Sequence, residues 1–203
     1  MIHLALFDLE PEFEDEFLHW YEGEHAPAML ARTGWLRLGH YRCLDGQPFL
    51  SLYEVDDALT NQLPLSAAPF RDGPFTARGI RNYHARTWRQ VHAAGTPGAK
   101  ATWINAVTVE VDDRHLEEFN RWYNEVHVPE ILACPGWRSN RRYVCLDGES
   151  SVLAVYELED PELAFASPQW ESVVGWDEHL EHILGFHGFR VYELLFEQAG
   201  PAR

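Results

Sequence analysis

Two histidines of this 203-residue chain stand in the same frame. His25 lies in WYEGEHAP and His127 in WYNEVHVP, each five residues after a tryptophan and two before a proline. An imidazole of ordinary pKa, about 6.5, can take up and return a proton near neutral pH, which suits enolisation, dehydration or isomerisation beside a carbonyl. The copy around His127 keeps Glu125 and Pro135 where the other has Gly23 and Thr33, so His127 is the stronger general acid or base and His25 the weaker. A plainer role, packing a helix end, would explain the repetition equally well. Tyr143 and Tyr41 share strand parity with Trp137 and Cys145 and with their counterparts Trp35 and Cys43, so a phenol on that face could hold a substrate oxygen. Trp122 and Trp137 would wall the same pocket. Asn105 and His3 fall at equivalent first-strand positions, with His187 on the last strand. Arg142 and Arg190 offer guanidinium forks for a carboxylate or phenolate, against the commoner role of pairing with Asp or Glu. His179 and His182 raise a metal reading, but no Glu-x-x-His pair and no third ligand accompany them. No metal and no cofactor are expected.

These frames belong to a long self-match. Residues 17–46 repeat at 119–148 without a gap, at an offset of 102, which implies two copies of one domain. Each copy predicts a strand (3–9, 103–111), a helix ended by Pro27 or Pro129, a strand opened by Gly-Trp, a tight Asp-Gly hairpin and a returning strand. Leu116, Phe119, Tyr123 and Val126 form the apolar stripe of the second helix, with Asp112 or Asp113 as its cap. A further helix is predicted over 162–184, whereas 63–79 carries Pro64, Pro69 and Pro74 and reads as irregular. Final strands are expected at 82–91 and 188–196, about a small-residue linker. The domains are therefore 1–93, a linker 94–100, and 101–203. The order β-α-β-β-α-β is that of the ferredoxin-like unit, with helices on one sheet face. Two such units packing their bare faces together make an intramolecular pseudo-dimeric α+β barrel, and a further homodimer stays open.

Composition narrows the function classes. A net charge of −16 argues against nucleic acid, and 46% hydrophobic with 13% aromatic residues argues against disorder. No apolar run reaches the roughly 18 residues of a membrane span, and the first residues lack a basic signal-peptide region, so a cytoplasmic protein is expected. Three cysteines without a CxxC agree: Cys43 and Cys145 are equivalent packing positions and Cys134 has no counterpart.

The run WYNEVHVPEILACPGW, followed by Arg142-Tyr143 on a strand, resembles the EthD-like branch of the dimeric α+β barrel superfamily across both copies. The resemblance implies a pocket between helices and sheet in each copy, and it spans cyclases, isomerases, lyases, cofactor-free oxygenases and haem-degrading enzymes, so it does not select a reaction. The expectation is a cofactor-independent lyase, isomerase or cyclase acting on a hydrophobic, carbonyl-bearing or aromatic small molecule. A cofactor-free or haem-dependent monooxygenase and a non-catalytic binding module are the alternatives.

Overall fold

The computed structural model describes residues 1–65, 73–75, 78–98, 101–148, 151–177 and 179–201, without the side chains of Glu181, Phe186 and His187. Parts of the proline-rich segment and residues 99–100 of the expected linker lie outside that description. The chain forms two compact units, Met1–Arg89 with Leu194–Arg203, and Gln90–Glu193.

Unit 1 contains β1 (Ile2–Leu9), α1 (Glu14–Trp20), a π-helical turn (Tyr21–His25), α2 (Ala26–Leu30), β2 (Trp35–Cys43), β3 (Phe49–Val55) and the first part of β4 (Ile80–Gly95). Its strands pair in the order β4-β1-β3-β2, antiparallel, the order of a ferredoxin-like sheet. Unit 2 repeats the series: β5 (Trp103–Val111), α3 (Leu116–Trp122), a π-helical turn (Tyr123–His127), α4 (Val128–Leu132), β6 (Trp137–Cys145), β7 (Ser151–Leu158), α5 (Pro161–Phe165), α6 (Pro168–Val173) and β8 (Leu184–Ala199). Its order is β8-β5-β7-β6. In each unit the helices bury their apolar side on one sheet face. Phe119, Tyr123, Val128 and Ile131 meet Val107, Val109, Ala154 and Tyr156 in unit 2, while Phe17, Tyr21 and Met29 meet Phe7, Phe49 and Tyr53 in unit 1.

The prolines do not end the helices. A proline has no N–H to donate and its ring crowds the carbonyl four residues back. Here the turn before it widens: Ala26 N–H bonds Tyr21 O and Val128 N–H bonds Tyr123 O, five residues back, and the chain runs on as α2 and α4. His25 and His127 therefore sit mid-helix, and the expected stripe changes course: Val126 is exposed and His127 takes the inward place.

A second extra residue corrects the strand parity. β6 bulges between Trp137 and Ser139, so Trp137 pairs with Leu158 but Ser139 pairs with Glu157. Two residues on one strand then oppose one on the other, and every later side chain changes face. Asn140 pairs with Tyr156 and Arg142 with Ala154 on the helix side, whereas Tyr143 pairs with Leu153 on the opposite side. β2 bulges at the same place, which puts His40 on the helix side opposite Ser51, and Tyr41, opposite Leu50, on the other. The expectation that Tyr143 and Tyr41 share a face with Trp137 and Trp35 is thereby overturned.

Where a single helix is expected over 162–184, the described residues form two short α-helices, α5 and α6, and a 3-10 turn at Glu181–Ile183. Asp160 and Ser167 each cap an N-terminus, accepting from Leu163 N and Trp170 N, and each is followed by a proline that fits the first turn of a new helix. β4 runs on through Gly95, and Thr96 N and Gly98 N bond Arg138 O and Glu157 Oε2, so 94–98 is fixed to unit 2. The first Asp-Gly hairpin closes through a loop longer than two residues, 44–48, and residues 149–150 of the second lie outside the described residues.

Candidate functional site

In unit 2 the helices and sheet enclose a cavity of about 260 Å³. Its walls are aromatic and aliphatic: Trp137, Trp170, Trp176, Phe189, Ile131, Val107 and Val174. Four polar side chains break that surface, namely His127, Tyr123, Tyr156 and Asn105. A mostly apolar cleft with a few converging polar groups is the usual form of a small-molecule site.

Each polar group is fixed by its element. The π-turn points His127 inward, where Trp122 stacks on its ring at 4.9 Å and Trp176 at 6.1 Å, and Tyr123 meets it edge-on at 4.8 Å. Burial, reinforced by the positive charge of Arg142, pushes the imidazole pKa down to about 4. At neutral pH His127 is therefore uncharged and available as a base.

Tyr156, on β7, points its hydroxyl at that of Tyr123, 3.4 Å away. Burial raises both phenol pKa values, Tyr156 well above the usual value, so both keep their protons and can donate. Asn105, on β5, donates its Nδ2 to Arg190 O at 3.0 Å, which sets the amide's orientation. Its fully buried Oδ1 has no partner among the described residues and is left as an acceptor.

Of the residues named from sequence, His127, Asn105 and Trp137 meet in this cavity, and Trp122 backs the imidazole. Arg142 lies behind Tyr123, its guanidinium carbon 4.0 Å from the ring centre. Tyr143 is buried on the opposite sheet face and does not reach the cavity, for the bulge reason given above. His187 pairs through its backbone with Val109. Arg190 is exposed and contributes its carbonyl. The other candidates belong to unit 1. There His25 Nε2 lies 2.8 Å from Tyr53 Oη, His3 Nδ1 lies 3.1 Å from Thr87 Oγ1, and Tyr41 faces away from the helices. The equivalent of Arg142 is His40, stacked between Tyr21 and the parallel rings of Phe7 and Phe49. Burial pushes the pKa of both His25 and His40 down to about 3.

Sequence reasoning missed Tyr123, Tyr156, Trp170, Trp176 and Phe189. A signal for Tyr156 exists: it is the partner of Tyr53 in a second Tyr-Glu pair, displaced to an offset of 103 by one added hairpin residue. Among the described residues no three His, Cys, Asp or Glu side chains group as metal ligands. No helix among them is long and apolar enough to cross a membrane.

No family model and no curated protein matches the chain. Solved structures do. An anthrone oxidase-like protein superposes with a TM-score of 0.70 at 13% identity, over 99% of this chain and 93% of its own. The likeness is one of fold. Proposed monooxygenases from Lactobacillus acidophilus and Fusobacterium nucleatum give TM-scores of 0.64 and 0.63 at 12% identity, over 98% of this chain and 95% and 93% of theirs. The chain thus has the α+β, ferredoxin-like fold of the dimeric α+β barrel type.

Proposed function

We propose that unit 2 is a small-molecule enzyme site in which His127 removes a proton beside the carbonyl of a flat, aromatic substrate. The observation that carries this reading is the convergence of an uncharged imidazole with two protonated phenols and an open amide oxygen in one aromatic cavity. As the α-proton moves to His127, the C–H electron pair passes into the carbonyl and its oxygen becomes an enolate. Tyr123, itself receiving a hydrogen bond from Tyr156, donates to that oxygen, and Asn105 Oδ1 accepts from a substrate hydroxyl. The low pKa makes His127 a modest base in the empty site, and the enolate beside it favours the imidazolium that forms. Unit 1, whose corresponding face is filled by His40, Phe7 and Phe49, is read as the diverged copy of a tandem pair. The EthD-like assignment rests on the WYNEVHVPEILACPGW run and the Arg142-Tyr143 strand that follows it.

An enolate so formed can be reprotonated, as in an isomerase, lyase or cyclase, or can react with dioxygen. The fold likeness to an anthrone oxidase-like protein and to proposed monooxygenases favours oxygen chemistry as the second reading. Anthrone-type ketones separate the two: α-deuterium exchange reports proton removal, and an oxygen electrode reports whether dioxygen is consumed. His127→Ala should slow exchange roughly 100- to 10,000-fold with the fold intact, and His25→Ala should do less. Unchanged exchange in a folded His127→Ala protein would refute the assignment.

A further inference from the structure

Among the described residues Arg142 is a charge without a counter-ion. Its side chain is 0% exposed on the helix-facing side of β6. Nη1 donates to Asn124 Oδ1 at 2.7 Å and to Asn120 O at 3.5 Å, while Nε and Nη2, also fully buried, have no hydrogen-bond partner among the described residues. The rings of Tyr123 and Phe119 cover it at 4.0 and 5.6 Å, and no carboxylate among the described residues pairs with it. Burial lowers its pKa to about 10, which leaves it charged at neutral pH. The groups around it do not neutralise it. His92 on β4 and His127 are both held toward the uncharged form, Tyr123 and Tyr156 are held protonated, and Asn140, two residues before it on β6, has an amide with neither end partnered among the described residues. A buried cation left without an anion is unfavourable, and proteins seldom keep one idle. At the equivalent place unit 1 has His40.

The ring between this charge and the cavity is Tyr123, which contacts Arg142 and also lines the cavity beside His127. We propose that the missing counter-ion is the ligand: the unit 2 cavity binds its aromatic ligand as an anion, a phenolate, enolate or carboxylate, with Arg142 selecting that form across the Tyr123 ring. The inference rests on the cavity being the ligand site, as argued above, and adds the substrate class. Arg142 is a specificity-determining and positioning residue rather than a catalytic one, since it acts through Tyr123 and Tyr156.

The test uses 2-naphthol, whose ionisation red-shifts its absorbance, and 2-methoxynaphthalene, which cannot ionise. Both are titrated into the full chain in chloride-free buffer, with quenching of the cavity tryptophans as the binding signal. Bound naphthol should ionise at least about one pH unit below free naphthol, a tenfold or greater preference for the anion. Arg142→Gln should abolish the shift, Arg142→Lys should keep most of it, and methoxynaphthalene should bind all three proteins alike. An unshifted or raised ionisation pH in the wild type overturns the inference, as does a shift that survives Arg142→Gln. Should Arg142→Gln not fold, the wild-type shift and its retention in Arg142→Lys decide the matter. Naphthol binding without a shift sinks the inference alone, whereas failure of both naphthalenes to bind sinks the ligand-site reading with it.

Discussion

Three uncharged buried imidazoles should make this protein sensitive to mild acid. His25 and His40 have pKa values lowered from 6.5 to about 3 and His127 to about 4, in each case chiefly by burial. The unfolded chain then binds more protons than the folded one between pH 6.5 and those values. Each group's contribution is fully in place above pH 6.5 and is lost as the pH falls through 6.5 toward 4 for His127 and toward 3 for the other two. Integrating the linkage from pH 7.5 to pH 5 gives about 2 kcal/mol for each group, so several kcal/mol together. Against a typical total of about 5–15 kcal/mol, that is a large share. His40 is the cleanest perturbation, because its ring is packed between aromatics and its Nδ1 lies 3.1 Å from Ser51 Oγ, with no charged partner at that distance among the described residues. His40→Gln lowers stability at every pH through lost packing, yet it should flatten the pH dependence by about one proton's worth. The assay is urea unfolding at pH 7.5, 6.5, 5.5 and 5, read as the change of midpoint with pH. A wild type whose stability is flat over that range, or a His40→Gln slope equal to wild type, would refute the reasoning.

Other expectations follow from the site and its supports. Tyr156→Phe, which removes the hydrogen bond that supports the Tyr123 hydroxyl, should lower kcat/KM about tenfold to a hundredfold in steady-state assays, while Tyr143→Phe, on the other sheet face, should leave it unchanged. Gly136→Ala should destabilise unit 2 by roughly 1–3 kcal/mol in denaturant titration, since φ is +85° there and a Cβ would stand 2.7 Å from Ala164 N. The purified protein should be colourless and free of stoichiometric metal by elemental analysis. A Soret band or bound zinc would overturn the cofactor-free reading and direct attention to His127, His182 and His187.

What could be read from the sequence was whatever depends on residue types in series. The offset of 102 exposed two similar runs, and alternation within 3–9 and 103–111 located β1 and β5. His127, Asn105 and Trp137 were found because their types and equivalences could be compared between runs. What escaped depends on a single surplus residue. The bulge at Trp137–Ser139 leaves the pattern of residue types unaltered, so parity counting put Tyr143 on the pocket face with Trp137. The wide turn at Tyr123–His127 likewise leaves only one trace, a proline whose missing N–H needs no partner. Trp170 and Trp176 were hidden by reading one long helix through Ser167-Pro168, whose capping serine and first-turn proline argue for a new start.

The widened turn also settles how four side chains can stand in a straight row. Phe119, Tyr123, His127 and Ile131 are spaced by four, as are Phe17, Tyr21, His25 and Met29, and all eight are buried. On an ordinary helix each step of four overshoots a full revolution by about 40°, so a row of four would spiral well away from the sheet by its last member. A turn closed five residues back rotates less per residue and takes back part of that drift. The helix thereby becomes a rack rather than a screw, presenting an aromatic, a phenol, an imidazole and an aliphatic group along one line, with the imidazole third.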